Sequence, residues 1–507
     1  MPQTETTTTS TETLAELTAL KAQVEQLGER IEVQGAVQFE IAKLLQTFHG
    51  QLQDLPNQVA DIVKKAIEES AQNKVPLTRE VLTRLDLRLN QLAISAHTVK
   101  QVSNMTLRRL GPSTEKIRCV FIVQSIPMWD SFAEIYQAMV EDERFYPIVV
   151  SIDKSELGRA EFAGEDDVHL GLTALKIPHL RLNVDAYDAL DIFRNLMPDV
   201  VFRQQQWETP VPPGLRTLEI SFARICVVPY GVGTLANPDM TDESDEAYDN
   251  NYDQQYHRFA WKVFCETELT ISYYGSFAHS DPEKFVLSGY PKLDKLLSAR
   301  GHGVWPIPEP KGRTFRVIWA PHYLLAANGN SGFGVFHRIY KEMLEWARSS
   351  TDIQFVFKPH PSLKFSLSEG SPLANGGYQQ YVDTWSALSN CAVSEGTYGE
   401  LFEASDLMLT DGVSFLSEYQ LFEKPLIYFD SGNHPPFNSL GRMAERASHK
   451  VETFNEMRKA ALEYKAGRAW ALEAERQAFL KVLLPCEQPA ARIILDSIAA
   501  DIHAPKA

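Results

Sequence analysis

Apolar residues recur in steps of three and four along the first fifty positions: Leu17, Leu20, Val24, Leu27 and Ile31, then Ile41, Leu45 and Phe48. Such a narrow stripe predicts a heptad seam, interrupted by Gln34 and Gln38 with Gly35 between them. A coiled coil over 13–50 follows, after a tail at 1–12 expected to be disordered. A second helical region, 51–112, repeats the spacing at Leu82, Leu85, Leu89 and Leu92. From residue 117 the period changes. Short apolar runs at 119–123, 146–152, 200–202, 225–228, 269–272 and 285–287 read as strands, with amphipathic helices at 131–140 and 187–196. Strand, helix, strand at this spacing implies a parallel sheet. The Pro- and Gly-rich stretch 306–312 reads as a linker. Beyond it strands at 315–320, 354–357, 407–409 and 426–428 alternate with helices at 335–348, 398–404 and 415–422.

The expected organisation is a pair of Rossmann-type α/β domains with parallel sheets, 113–305 and 312–485, behind the helical region, and a last helix in 486–507. The polar, acidic stretch 237–253 reads as a long loop or lid. A chain of 507 residues is too long for one core. The net charge of −17 argues against a general affinity for nucleic-acid backbones. Five cysteines without paired metal-ligand spacing suggest reduced thiols and a cytoplasmic protein. No stretch approaches the ~20 apolar residues that span a bilayer, and residues 1–13 lack the features of a signal peptide. Membrane contact is therefore expected to be peripheral at most, at the inner face. No metal site and no cofactor is expected.

Candidate chemistry gathers at predicted strand ends, where open α/β sheets bind ligands. Lys358-Pro359-His360-Pro361 ends the strand 354–357 with an ammonium and an imidazole. Thr410-Asp411-Gly412-Val413-Ser414 ends the strand 407–409. Ser414 is expected to cap the following helix, whose free N–H groups suit a phosphate. Ser417 and Glu418 continue that helix, with Glu418 one turn beyond Ser414 and on its face. Pro321-His322 places a second imidazole at the end of 315–320. In the first half, Tyr230-Gly231-Val232-Gly233 follows 225–228, and Gly289-Tyr290-Pro291-Lys292-Leu293-Asp294 forms a tight turn after 285–287. Asp294 is expected either to cap the helix 295–299 or to line the cleft.

In this order the segments resemble the CDP-glycerol glycerophosphotransferase family, enzymes that polymerise teichoic-acid-type polyol phosphates. The likeness runs over about 225–428. Gly289–Asp294 resembles the family's Gly-Tyr-Pro-Arg-x-Asp turn, with Lys292 in place of Arg. Lys358–Pro361 resembles its Lys-x-His-Pro, and Thr410 through Tyr419 its Thr-Asp-Tyr-Ser-Ser block, with Val413 for the first serine. The resemblance implies a GT-B fold. It also implies transfer of a phosphopolyol from a CDP-activated donor to a glycan or lipid-linked polyol acceptor in the cell envelope. On the same footing, His360 and Ser414, aided by Lys358 and Pro321, would hold the donor phosphates. Asp411, Gly412, Ser417 and Glu418 would shape the nucleotide pocket. Gly231, Gly233, Tyr290, Lys292 and Asp294 would line the acceptor side. The family's presumed base, a His, is here Tyr230; with an unperturbed pKa of ~10 a phenol is a poor base at neutral pH, so His322 becomes a candidate for that role. Two other readings stay open: a GT-B glycosyltransferase using a CMP-sugar, and a non-catalytic nucleotide- or glycan-binding scaffold. Association into a homo-oligomer is expected through the coiled coil.

Overall fold

The structure, a computed structural model, describes residues 64, 116–155, 161–239, 246–309, 314–326, 331–367, 373–374 and 376–503. The seam at 13–50 and nearly all of 51–112 lie outside them, as do 240–245 of the expected lid and 310–313 of the expected linker. Residues 113–507 belong to one compact unit.

That unit contains two larger parallel sheets. The first holds β1 (Ile117–Val123), β2 (Phe145–Ser151), β5 (Leu180–Arg181), β6 (Val200–Arg203), β7 (Arg224–Val227), β8 (Lys262–Cys265) and β9 (Phe285–Leu287), in the order β5-β2-β1-β6-β7-β8-β9. A two-stranded antiparallel ribbon, β3 (Lys154–Ser155) with β4 (Phe162–Ala163), stands apart. The second sheet holds β10 (Phe315–Ala320), β11 (Ile353–Phe357), β12 (Cys391–Val393), β13 (Leu407–Thr410), β14 (Leu426–Phe429) and β15 (His449–Val451), in the order β12-β11-β10-β13-β14-β15. Numbered from β10, this is the 3-2-1-4-5-6 order of doubly wound nucleotide-binding sheets. The order reverses between β10 and β13, so the crevice above their carboxyl ends is the switch point at which such folds bind ligands. The two parallel α/β sheets are those expected from the sequence.

Both sheets are buried on two faces, which explains their near-continuous apolar strands. Phe355, Val356 and Phe357 are each fully buried. The helices that bear on the site are α1 (Asp130–Glu141), α2 (Glu268–Ser276), α3 (Pro291–Ser298), α4 (Phe336–Ser349), α5 (Gly399–Ala404), α6 (Val413–Glu418), α7 (Ser439–Arg446) and α8 (Ala490–His503). The last of these returns to the first sheet. Its Ile494, Leu495 and Ile498 join the core around Phe121 and Phe202.

The structure corrects the sequence reading at several points. Residues 269–272 are helical, within α2. Their period-two pattern is overridden by Thr267, whose hydroxyl caps the helix by accepting from the Thr270 N–H at 3.2 Å. The strand nearby is β8, masked in sequence by Lys262. That lysine is 6% exposed and pairs at 2.6 Å with Asp501 of α8, which makes its place in a buried strand tolerable. The helix expected at 415–422 begins at Val413 and gives way to a 3₁₀ turn, Tyr419–Phe422.

Candidate active site

The carboxyl ends of β10, β11 and β13 bring His322, His360 and Asp411 together. Their backbones are cross-linked, since the His360 N–H donates to the Pro321 carbonyl at 3.1 Å. The imidazole centroids of His322 and His360 lie 5.5 Å apart, and the Tyr323 ring sits 4.4 Å from His360 and 4.7 Å from His322. Each ring is anchored in the same way. His322 Nδ1 accepts the Leu324 N–H at 3.2 Å, and His360 Nδ1 accepts the Ser362 N–H at 3.1 Å. Burial lowers the pKa of His322 to about 3 and of His360 to about 4; His360 adds to the first shift and Lys358 to the second. Both rings are neutral at pH 7, and with Nδ1 accepting, the ring hydrogen resides on Nε2. Among the described residues neither Nε2 has a hydrogen-bond partner. Two donors are thus presented at one place.

This tautomer changes the role expected of His322. Its open nitrogen carries the hydrogen and suits donation to an oxyanion, whereas a base needs that nitrogen bare.

Asp411 crosses the switch point. Its Oδ1 accepts the His322 N–H and its Oδ2 the Val335 N–H, each at 2.6 Å. Only 3% exposed, it ties the β10 loop to the start of α4. Burial pushes its pKa to about 7, against the pull of the two N–H donors. Gly412 precedes α6 as its N-cap, so the capping role expected of Ser414 is corrected. Ser414 is exposed and its hydroxyl makes no hydrogen bond among the described residues, whereas Ser417 Oγ is fully buried without a partner.

A second cluster forms beside the first. Lys358 Nζ stands 5.1 Å, and Lys292 Nζ 5.2 Å, from the centroid of the Tyr398 ring. Lys292 pairs with Glu418 Oε1 at 3.0 Å, and the Tyr398 hydroxyl donates to Glu418 Oε2. Glu418, fully buried, is therefore held by protein partners, an ammonium at one oxygen and a phenol at the other. Lys358 donates to the Gly396 carbonyl at 3.0 Å, and burial lowers its pKa to about 8. Tyr398 went unnoticed in the sequence because it follows β12, a three-residue strand.

On the first sheet, Tyr230 keeps 39% of its surface open, with its ring 5.9 Å from that of Trp207. It stands close enough to Tyr323 of the second sheet for that phenol, after burial, to raise its pKa. A Cβ on Gly231 would meet nothing within 4 Å. Gly233 is packed tightly; its N–H donates to Glu266 at 3.1 Å and its carbonyl accepts from Asn438 at 2.8 Å. The Tyr290 hydroxyl is buried without a hydrogen-bond partner. Asp294 turns away from the cleft. It lies in the first turn of α3 and accepts the Ala491 N–H of α8 at 3.4 Å, with its pKa raised to about 6 by burial. Its expected place among cleft residues is thus corrected to a fastening for the last helix. Sequence reading also missed Glu266. It directly follows β8, the strand that Lys262 concealed, so the position of an acid at a strand's carboxyl end went unread.

The two sheets meet through a strip beside this loop. Leu235 bridges Phe437 in antiparallel fashion, Ala236 N–H donates to the Pro436 carbonyl at 2.9 Å, and Asn438 N–H to the Thr234 carbonyl at 3.0 Å. Glu246 binds the amino end of α7. It accepts the Ser439 N–H at 2.8 Å, the Ser439 hydroxyl at 3.0 Å and the Arg442 guanidinium, and also the Tyr273 hydroxyl at 2.6 Å.

Comparison with known proteins bears on the same region. The sequence pattern of the family described as CDP-Glycerol:Poly(glycerophosphate) glycerophosphotransferase matches residues 234–433. The teichoic acid ribitol-phosphate polymerase TarL of Staphylococcus aureus is 22% identical over 180 residues, 34% of this chain and 29% of TarL. TarK of the same organism is 21% identical over 179 residues, 34% of this chain and 32% of TarK. The match thus spans about a third of the length of these curated relatives. Among solved structures, the wall teichoic acid polymerase TagF aligns with a TM-score of 0.48 at 15% identity, covering 84% of this chain and 98% of that one. The S. aureus MnaA–UDP co-structure gives 0.48 at 15% identity, covering 77% and 98%. His322, His360, Asp411 and Glu418 all fall inside the matched segment, residues 234–433, over which this chain is similar to that family.

Proposed function

We propose that the chain transfers a polyol phosphate, such as glycerol or ribitol phosphate, from a CDP-activated donor to a hydroxyl of a glycan or lipid-linked acceptor. The observation that carries this reading is the paired His322 and His360 at the switch point, rings 5.5 Å apart, each with Nδ1 accepting a main-chain N–H and its Nε2–H without a partner among the described residues. Two neutral donors suit the charge that develops on a diphosphate as its bridging bond breaks. The acceptor oxygen attacks the β-phosphorus, the bond to the bridging oxygen breaks, and CMP leaves with that electron pair. Lys358, on the same strand end, adds positive charge below pH 8. Lys292 is neutralised by Glu418 and contributes through the position of the cluster.

Among the described residues, no helix is long and apolar enough to cross a membrane. On the proposed reading, work on a lipid-linked acceptor takes place at the inner membrane face, with the protein held peripherally. The test is CMP release from CDP-glycerol, CDP-ribitol and a CMP-sugar, each with and without a glycan or polyol acceptor. Acceptor-dependent release from a CDP-polyol is expected. Release from the CMP-sugar alone would replace the donor, and CDP binding without any turnover would leave a scaffold. Light scattering on the full chain and on one starting at Ser113 tests association through 13–50; equal oligomeric states would exclude it.

A further inference from the structure

Resting on this reading, we infer that Glu266 receives the acceptor's proton and that Tyr252 holds the acceptor hydroxyl beside it. Tyr230 stands where the resemblance leads one to expect a base, but its phenol is shifted upward by burial and by Tyr323, away from that role. His322 and His360 present N–H groups. The proton needs another destination.

Glu266 lies at the carboxyl end of β8 and is 3% exposed. A Cβ placed on Gly233 would lie 3.1 Å from Glu266 Oε1 and 2.7 Å from the Tyr252 hydroxyl, so the two oxygens converge on one face of that glycine. The Tyr252 hydroxyl is buried and has no hydrogen-bond partner, an unusual state for a residue 5% exposed. A carboxylate beside an uncommitted phenol matches the needs of an alcohol. The phenol donates to the alcohol oxygen while the carboxylate takes its hydrogen. The same loop carries Gly231, with open space beside its Cα, and Tyr230, which is 39% exposed and lies near Tyr323 of the second sheet.

The surroundings suit a base. Burial raises the Glu266 pKa, and the Gly233 N–H and Thr270 hydroxyl only partly offset it. The titratable groups that feel its charge are Cys265 on its own strand, Tyr252, Tyr274 of α2 and Tyr290 before α3. No cation figures among the causes of its shift. A carboxylate raised in this way is a better proton acceptor near neutral pH than an ordinary one. In the step itself, the acceptor O–H proton passes to Glu266, the alkoxide-like oxygen bonds to the β-phosphorus, and CMP departs.

The test uses the full chain with a CDP-polyol and its acceptor. Glu266→Gln keeps an oxygen for the Gly233 N–H but cannot take a proton. It is expected to lower kcat at least ~100-fold, leave CDP affinity unchanged, and remove the acidic limb of the kcat–pH profile. Near-normal kcat, or a retained acidic limb, overturns the role. Should Glu266→Gln melt far below the wild type, Tyr252→Phe decides. Its hydroxyl has no partner to lose, so stability is expected to hold while the acceptor KM rises at least ~5-fold; unchanged kinetics overturn the inference. If the unaltered chain turns over no CDP-polyol, the proposed function itself falls. If it does and Glu266→Gln does too, only this inference falls.

Discussion

Lys292 and Glu418 meet at 3.0 Å with side chains only 14% and 1% exposed, and they join the turn after β9 to the helix after β13. This pair fastens the first half of the molecule to the second beside Tyr398, the ring that Lys358 also approaches. Removing one partner of such a pair leaves a buried charge uncompensated, at a cost of about 3–5 kcal/mol. Lys292→Met is therefore expected to lower unfolding free energy by about 3 kcal/mol. Adding Glu418→Leu should recover part of the loss. Denaturant titration of the three variants checks this, and an additive double variant would show that the two side chains act separately.

His360→Ala and His322→Ala each remove one uncommitted ring donor while leaving strand pairing untouched. Loss of one such donor in other transfers typically costs about 100-fold in kcat. The same loss is expected here, read as CMP release at saturating donor. A change confined to KM would mean that the rings bind the ground state as tightly as the transition state.

Lys358 gives the site a pH dependence of definite sign. Its pKa is lowered to about 8, chiefly by burial, so its charge is present below pH 8 and disappears as pH rises through it. CDP affinity is expected to fall about tenfold between pH 7 and pH 9 in the wild type, the worth of one charge-assisted hydrogen bond. Lys358→Arg should abolish that decline, because a guanidinium stays charged throughout. Calorimetric titration at both pH values distinguishes the two proteins.

The second sheet was readable because its strands are unbroken apolar runs, Ile318-Trp319-Ala320 and Phe355-Val356-Phe357, each closed by a proline-bearing turn. The same prolines made His322 and His360 conspicuous. Two strands carrying basic residues escaped notice. Lys262 hid β8, and His449 and Lys450 hid the edge strand β15. The partners of Asp411 were beyond reach for another reason. They are main-chain N–H groups of residues distant in sequence, and main-chain donors leave no mark on composition. Glu418 looked like an open carboxylate because nothing in its neighbourhood announces Lys292 or the Tyr398 hydroxyl.

Glu246 carries the contact between the lid region and α7, with four donors on one carboxylate. The Arg442 and Ser439 donors lie on the second-sheet side and the Tyr273 donor on the first. Glu246→Ala is expected to loosen the seam at 233–236 and 436–438, enlarging the radius of gyration in solution scattering and raising the donor KM. Unchanged scattering with unchanged KM would confine Glu246 to local packing.

Asp411 links site geometry to stability through its ionisation. Its folded pKa is about 7, against about 3.9 for an unperturbed Asp. Between those values the folded protein binds a proton that the unfolded chain does not. Stability contributed here is therefore greatest at low pH and declines as pH rises through 4 to 7, by up to about 1.4 kcal/mol per pH unit. Above 7 the contribution is flat. Asp411→Asn cannot ionise and should lack this slope. It also offers one oxygen to two N–H donors, so His322 or Val335 loses its partner at a cost of about 1–3 kcal/mol. The variant is then expected to be clearly less stable than the wild type at pH 5 and closer to it at pH 7.5. Unfolding curves for both proteins across that range give the answer, and two parallel stability profiles would remove Asp411 as the titrating group.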